Sequence, residues 1–241
     1  MSLDGKRVVV IGGTMGIGLG AAVAAAEAGA AVVIASSRRA SVDRALATLP
    51  ESAQGYTVDV TDEKDVERFF GEVGAFDHLV FTAGDKVGLQ PLKDVNVGEA
   101  DGMFRVRFWG AMAAAKHGSP YIREGGSMVF TTGTSGRRPW IPVGTCVGGP
   151  MSAAIEAMTR SLALELAPIR VNSVAAGVVR TPLTTEQDPE AAEQFFAEHG
   201  KLLPVGRVGD PSDLAKAYVY LMSDGYCTGH ILLSDGGQLL I

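Results

Sequence analysis

Short apolar runs rich in β-branched residues alternate along this chain with Ala-rich stretches of helical character. "RVVVIGG" (7–13), "AVVIAS" (31–36), "GYTVDVTD" (55–62), "FDHLVFTAG" (76–84), "SMVFTT" (127–132), "IRVNSVAAG" (169–177) and "HILLSDGG" (230–237) each read as a strand. Most are continuously apolar rather than alternating, as expected of strands buried on both faces. Between them, "GLGAAVAAAEAGA" reads as a small-residue helix that stops at Gly29. "SVDRALATLP" reads as a helix with a Ser cap that stops at Pro50. "TDEKDVERFFGEVG" opens at Thr61, with Lys64 where a capping box would place Glu and with acidic residues crowding its first turn. Helices fill much of 98–122, another follows Pro150, and "DPSDLAKAYVYLMSD" has Asp210 as N-cap and Pro211 at N1. The alternation predicts an α/β chain, a doubly wound parallel sheet of about seven strands with helices on both faces. With no linker, repeat or low-complexity tract, 1–241 reads as a single domain, with an irregular polar stretch around 181–207.

Composition narrows the partners. Hydrophobic residues make up 46% and charged residues 20%, and the net charge is −6, without any Lys/Arg run. The reading is a soluble globular protein with no nucleic-acid or membrane partner. Two cysteines make no disulfide framework, so a reducing cytoplasmic location is expected. No signal-peptide pattern opens the chain, and no run approaches the roughly 18 apolar residues of a membrane span. His78, His117, His199 and His230 show no metal-like spacing, so structural roles and no metal site are expected.

The first strand runs into "GGTMGIGLG". Gly12 permits a tight turn, and Gly16 and Gly18 let backbone and helix approach a pyrophosphate held on free N–H groups at the helix N-terminus. Thr14, Met15 and Ile17 complete that turn. This Gly-xxx-Gly-x-Gly spacing resembles that of the short-chain dehydrogenase/reductases, and the likeness continues along the chain. "DVTD" (59–62) resembles the family's adenine-contacting turn, which includes Asp59 and Val60. Thr82, Ala83 and Gly84 stand where the family has Asn-Ala-Gly. "RVNSVAAGVVRTP" (170–182) resembles its Arg-Val-Asn…Pro-Gly…Thr segment, with Ala176 for the proline and Gly177, Val179 and Thr181 in cofactor positions. "PVGRVGDPSDLA" (204–215) and "TGHILLSDGG" (228–237) resemble its C-terminal signatures. The resemblance implies a Rossmann-type fold, a nicotinamide cofactor, a substrate loop around 181–207 and a homodimer or homotetramer.

The end of the second strand bears on the cofactor. An acid there would bond a ribose 2′-hydroxyl and repel a 2′-phosphate. The chain has Ser36, Ser37 and Arg38 instead, two hydroxyls and a guanidinium suited to phosphate. NADP(H) is therefore favoured over NAD(H).

The chemical end departs from the family. The resemblance implies an Asn, a Ser, a Tyr thirteen residues after the Ser, and a Lys four residues further on, which together perform general acid–base catalysis. Those positions read Arg107, Gly133, Cys146 and Pro150. None of the five tyrosines lies between 122 and 217, and none has Lys four residues later. "GGP" predicts a glycine loop and a helix starting near Pro150, with Cys146 in the loop. Cys146, Arg107 and Ser135 remain the candidates for substitute chemistry; Arg137 and Arg138 are the other cations nearby in sequence. Three functions follow: an NADP(H)-dependent oxidoreductase with a non-standard site, acting on a small carbonyl, alcohol or enone; a non-catalytic NADP(H)-binding sensor or subunit, without a substrate; or a non-redox isomerase or cyclase on the same scaffold.

Overall fold

The computed structural model describes residues 1–84, 91–139, 145–185 and 188–241. Seven parallel strands form one sheet: β1 (Arg7–Ile11), β2 (Ala31–Ser36), β3 (Gln54–Thr57), β4 (Phe76–Phe81), β5 (Ile122–Gly133), β6 (Arg170–Ala176) and β7 (Ile231–Ser234). Their order is β3-β2-β1-β4-β5-β6-β7. The winding therefore reverses between β1 and β4, and a crevice opens beyond the carboxyl ends of those two strands.

The side chains alternate across the sheet as strand geometry requires. Val8, Val10, Val32, Ile34, Val80 and Val129 pack on one face, against α1 (Gly16–Glu27), α2 (Arg39–Leu46) and α9 (Pro211–Ser223). Val9, Ile11, Leu79, Phe81, Met128 and Phe130 pack on the other, against α3 (Glu63–Val73), α5 (Gly110–Gly118) and α6 (Gly148–Glu165). Helix α4 (Val97–Phe104) leads into α5 through a π turn, Arg105–Trp109. Helices α7 (Pro182–Thr185) and α8 (Pro189–Leu202) follow β6. The small residues of α1 serve close approach: a Cβ on Gly20 would meet Pro211 of α9 at 3.0 Å.

Several boundaries differ from the sequence expectation. Helix α2 starts at Arg39 with Arg38 as N-cap, not with a Ser cap, because Ser41 and Val42 already donate to the Arg38 carbonyl. Strand β3 ends at Thr57, since Asp59 is drawn into a turn that accepts both the N–H and the hydroxyl of Thr61. Helix α3 is capped by Asp62, one residue after Thr61, through the Lys64 N–H. Strand β5 begins earlier than expected, since Gly125 at φ +78° and Gly126, pressed on the Asp77 carbonyl, let the chain bend and rejoin β4. Helix α6 starts at Gly148, so Gly149 and Pro150 lie inside its first turn. Proline is tolerated there because a first-turn N–H needs no intrahelical partner.

His78 on β4 is buried, with Nδ1 2.9 Å from the Ser127 hydroxyl. Burial, followed by the nearby charge of Arg170, holds its pKa down to about 4 from 6.5. The unfolded chain thus binds a proton that the folded chain refuses as pH falls from 6.5 toward 4, so stability drops across that window. Urea melts at pH 7.5 and pH 5 are expected to differ by about 2 kcal/mol through this group, and His78→Gln should remove that part of the difference.

Candidate functional site

A cleft of about 690 Å³ opens at the carboxyl ends of the strands, within the size range of small-molecule and cofactor sites. Gly12 leaves β1 at φ +85°, where a Cβ would lie 2.5 Å from the Ala83 nitrogen. Gly18, on the first turn of α1, is tighter still: a Cβ there would lie close against the Gly12 carbonyl and the Thr82 hydroxyl. Thr82 closes the arrangement, donating its N–H (2.8 Å) and its hydroxyl (3.1 Å) to the Ile11 carbonyl. The N-terminus of α1, with Met15 extended at its cap, faces the cavity that these glycines keep open. This is the geometry that receives a phosphate on a helix N-terminus.

All the expected cofactor positions line this one cleft: the turn 12–18 at Gly12 and 14–18, Ser36–Arg38, Asp59 and Val60, 82–84, and Gly177, Val179 and Thr181. Thr181–Thr184 and Phe195 contribute a roof, placing part of the 181–207 segment over the cavity. Phe195 stacks on His199, with centroids 5.6 Å apart and planes at 4°. Phe196, by contrast, is buried in a small separate core with Leu203 and Val208. The segment is tied down where Gly209 donates to the Val178 carbonyl and Arg180 N–H donates to Gly209, while the Arg180 guanidinium lies 4.7 Å over Phe196.

Arg107, Gly133, Ser135 and Ser152 line the inner end of the cleft. Arg107 sits in the π turn, where Gly110 N–H reaches back to the Arg105 carbonyl. Its guanidinium lies over Gly84: a Cβ on that glycine would be 2.5 Å from the Arg107 Cζ. A Cβ on Gly110, the first residue of α5, would lie 2.9 Å from a Val60 methyl, so this glycine lets the helix pack closely on Val60. Gly133 ends β5 with no side chain; a Cβ there would meet the Ser152 hydroxyl at 3.3 Å and the Ser135 hydroxyl at 3.7 Å.

Cys146 is exposed and is not among the cleft-lining residues, and Pro150 is exposed on the first turn of α6. Arg137 turns away to Glu156, with Nε 2.9 Å and 3.2 Å from the two carboxylate oxygens. Tyr218 accepts or donates a 2.7 Å bond with Thr131, but it is fully buried, and burial pushes its hydroxyl further from ionisation. Among the described lining residues there is no Tyr, Lys, His or Cys. Met151, Ser152 and Gln238 line the cleft without having been anticipated. The helical spacing of buried positions along α6 marks Ser152 as inward, but only the absent Gly133 side chain brings its hydroxyl to the cavity.

A family model described as enoyl-(acyl carrier protein) reductase matches residues 12–238. The short-chain dehydrogenase/reductase ucsE of an Acremonium species is 34% identical, with 99% of this chain and 97% of that protein covered. The chain belongs to the short-chain dehydrogenase/reductase family. A small-chain dehydrogenase crystallised in complex with NADPH matches this family member at TM-score 0.83 and 35% identity, over 99% of this chain and all of the other. The MalC reductase/Diels-Alderase of Malbranchea aurantiaca matches at TM-score 0.90 and 30% identity, over 99% and 98% of the two chains. No described helix is long and apolar enough to cross a membrane.

The turn after β1 in this family member has no room for a side chain at Gly18. Gly18→Ala is expected to lower stability by about 2 kcal/mol, as overpacking does, and to abolish nicotinamide-nucleotide binding in a fluorescence titration.

Proposed function

We propose that this protein is an NADP(H)-dependent reductase that stabilises charge on its substrate instead of donating a proton to it. The observation that carries the reading is the guanidinium of Arg107, seated on Gly84 in a cleft whose described lining offers no Tyr, Lys, His or Cys and whose one described carboxylate, Asp59, lies on the turn after β3. A guanidinium stays charged near neutral pH and is a poor acid. It is well suited to hold negative charge that develops on an oxygen, the contribution made by oxyanion-binding groups elsewhere.

A bound reduced nicotinamide would supply the hydride. Residues 12–18, Ser36–Arg38 and the turns after β3 and β4 would hold the nucleotide, and the close-packed glycines support that fit. Ser36, Ser37 and Arg38 at the end of β2 favour a 2′-phosphate, because no carboxylate stands among them. The substrate best matched to the inner end is an enone or a similarly activated small carbonyl. Its oxygen gains charge that the conjugated system spreads, and the carbon that remains can take its proton from water. A simple ketone gives an alkoxide and needs an acid in the same step, so it is a poor match.

A second reading has its own support. The Malbranchea relative is titled both reductase and Diels-Alderase, and the cleft here has an apolar wall of Val106, Met151, Leu183 and Phe195. A non-redox reaction of an apolar substrate on the nucleotide-loaded scaffold fits those residues. Full nucleotide binding without oxidation of NADPH by any enone would favour it.

Two outcomes test the main reading. Calorimetry should give NADPH a Kd at least about tenfold below that of NADH, and Arg38→Ala should remove most of that difference while sparing NADH. Cyclohex-2-enone should oxidise NADPH much faster than cyclohexanone does. Arg107→Ala should lower the enone rate about 10²-fold or more at unchanged NADPH affinity. Fast turnover of plain ketones would show that the missing acid does not matter and would overturn the reading.

A further inference from the structure

Gly133 lies where the family's hydroxyl-bearing side chain would end β5, and two other hydroxyls converge on the space that it leaves. The Ser152 hydroxyl lies 3.3 Å from the position of a Gly133 Cβ, and the Ser135 hydroxyl 3.7 Å from it. The two oxygens are 3.4 Å apart, and both residues line the cleft. Ser152 is 3% exposed, and a buried hydroxyl is expected to use its hydrogen-bonding capacity. The long 3.4 Å contact leaves room for a third oxygen to bond both.

The turn that carries Ser135 is clamped to α6. A Cβ on Gly136 would lie 2.7 Å from the Ala153 nitrogen, and one on Gly149 would lie 3.0 Å from the Ser135 carbonyl. Only glycine allows both approaches. Thr132 donates its hydroxyl to the Ser152 carbonyl at 2.9 Å, tying the end of β5 to the same turn of α6. The Arg137–Glu156 ion pair, with a carboxylate that is almost completely buried, locks the turn one helical turn further along. Hydroxyls held this firmly lose little freedom on meeting a ligand, which is the condition for effective electrostatic stabilisation.

We propose that Ser135 and Ser152 together bind the oxygen of the substrate, Ser152 supplying from helix α6 the hydroxyl that β5 lacks at Gly133. The inference rests on the reductase reading and adds two neutral hydrogen-bond donors to the oxygen whose charge that reading assigns to Arg107. A bound NADPH would supply a hydride, both electrons of its C4–H bond going to the acceptor carbon and leaving NADP⁺. The oxygen gains charge, the two hydroxyls donate hydrogen bonds to it without losing their protons, and water later delivers the proton to carbon. Arg137 and Glu156 act as positioning residues through the Ser135 turn.

The test uses a probe that reports polarisation without turnover. 4-(Dimethylamino)cinnamaldehyde absorbs further to the red when its carbonyl oxygen is polarised, and the oxidised cofactor NADP⁺ cannot reduce it. The wild-type protein with NADP⁺ should shift the band to the red. Ser152→Ala and Ser135→Ala should each lose most of that shift and about tenfold or more in kcat/KM for cyclohex-2-enone, with NADPH affinity unchanged. Ser152→Ala creates room beside residue 133. The double variant Gly133→Ser with Ser152→Ala should therefore recover the shift, which a merely structural role for Ser152 would not do. A full red shift retained in Ser152→Ala, or no recovery in the double variant, would overturn the assignment. Enone turnover that persists in Ser152→Ala would leave the reductase reading standing while removing the hydroxyl site. An absence of both NADPH binding and turnover in the wild type would remove the reductase reading itself.

Discussion

The approach of three backbone segments where the winding reverses is the constraint on which the rest of the molecule depends. The turn after β1, the first turn of α1 and the end of β4 meet with no space for a side chain at Gly12 or Gly18, and Thr82 joins them through two bonds to Ile11. Because β2 lies on one side of β1 and β4 on the other, the loops leave this point in opposite directions. The cavity is what remains between them. Its nucleotide end is therefore a product of backbone geometry, and its chemical end is free to vary through side chains carried by β5, α6 and the π turn.

The nucleotide end was readable in the sequence for that reason. Glycines that permit a close approach are a local property of the chain, and Gly12, Gly16 and Gly18 lie within one strand–turn–helix unit. The strands were readable because both faces are buried, so their apolar runs are continuous. Ser36–Arg38 could be placed at the cleft because they stand at the carboxyl end of β2, and Thr181 because the resemblance puts it in the segment that follows β6. The boundaries that moved did so where one specific bond outweighs the pattern. The Asp62 side chain takes the Lys64 N–H, the Arg38 carbonyl starts α2, and a bend at Gly125 extends β5.

The chemical end was readable only as an absence. The resemblance implies departures at positions 107, 133, 146 and 150, but what stands around them depends on contacts between elements far apart in the chain. Cys146 stood out because it holds the tyrosine position, yet it is exposed. Ser152 carried no signal, since a serine on the inner face of an Ala-rich helix is ordinary; it matters because residue 133 has no side chain. Arg137, close to Cys146 in sequence, is drawn off by Glu156 on α6, nineteen residues further along. Arg107 was recognised as a cation in the right region, but its seat on Gly84 depends on a backbone irregularity that no periodicity reveals.

That irregularity, the π turn at Arg105–Trp109, separates the duties of one long helical segment. The extra residue shifts the phase between α4 and α5 by about 100°, the rotation per residue of an α-helix. Deleting one residue from the turn would restore regular winding and leave α5 on its bed of Phe70 and Val60, while swinging the preceding segment around the axis. Arg107 would move relative to the cleft although the glycine turn after β1 had not changed. The position of the Arg107 charge in the cleft is in this sense set by a helical phase, and insertions or deletions of a single residue there are a route by which such a scaffold can change what lines its cleft without disturbing its fold.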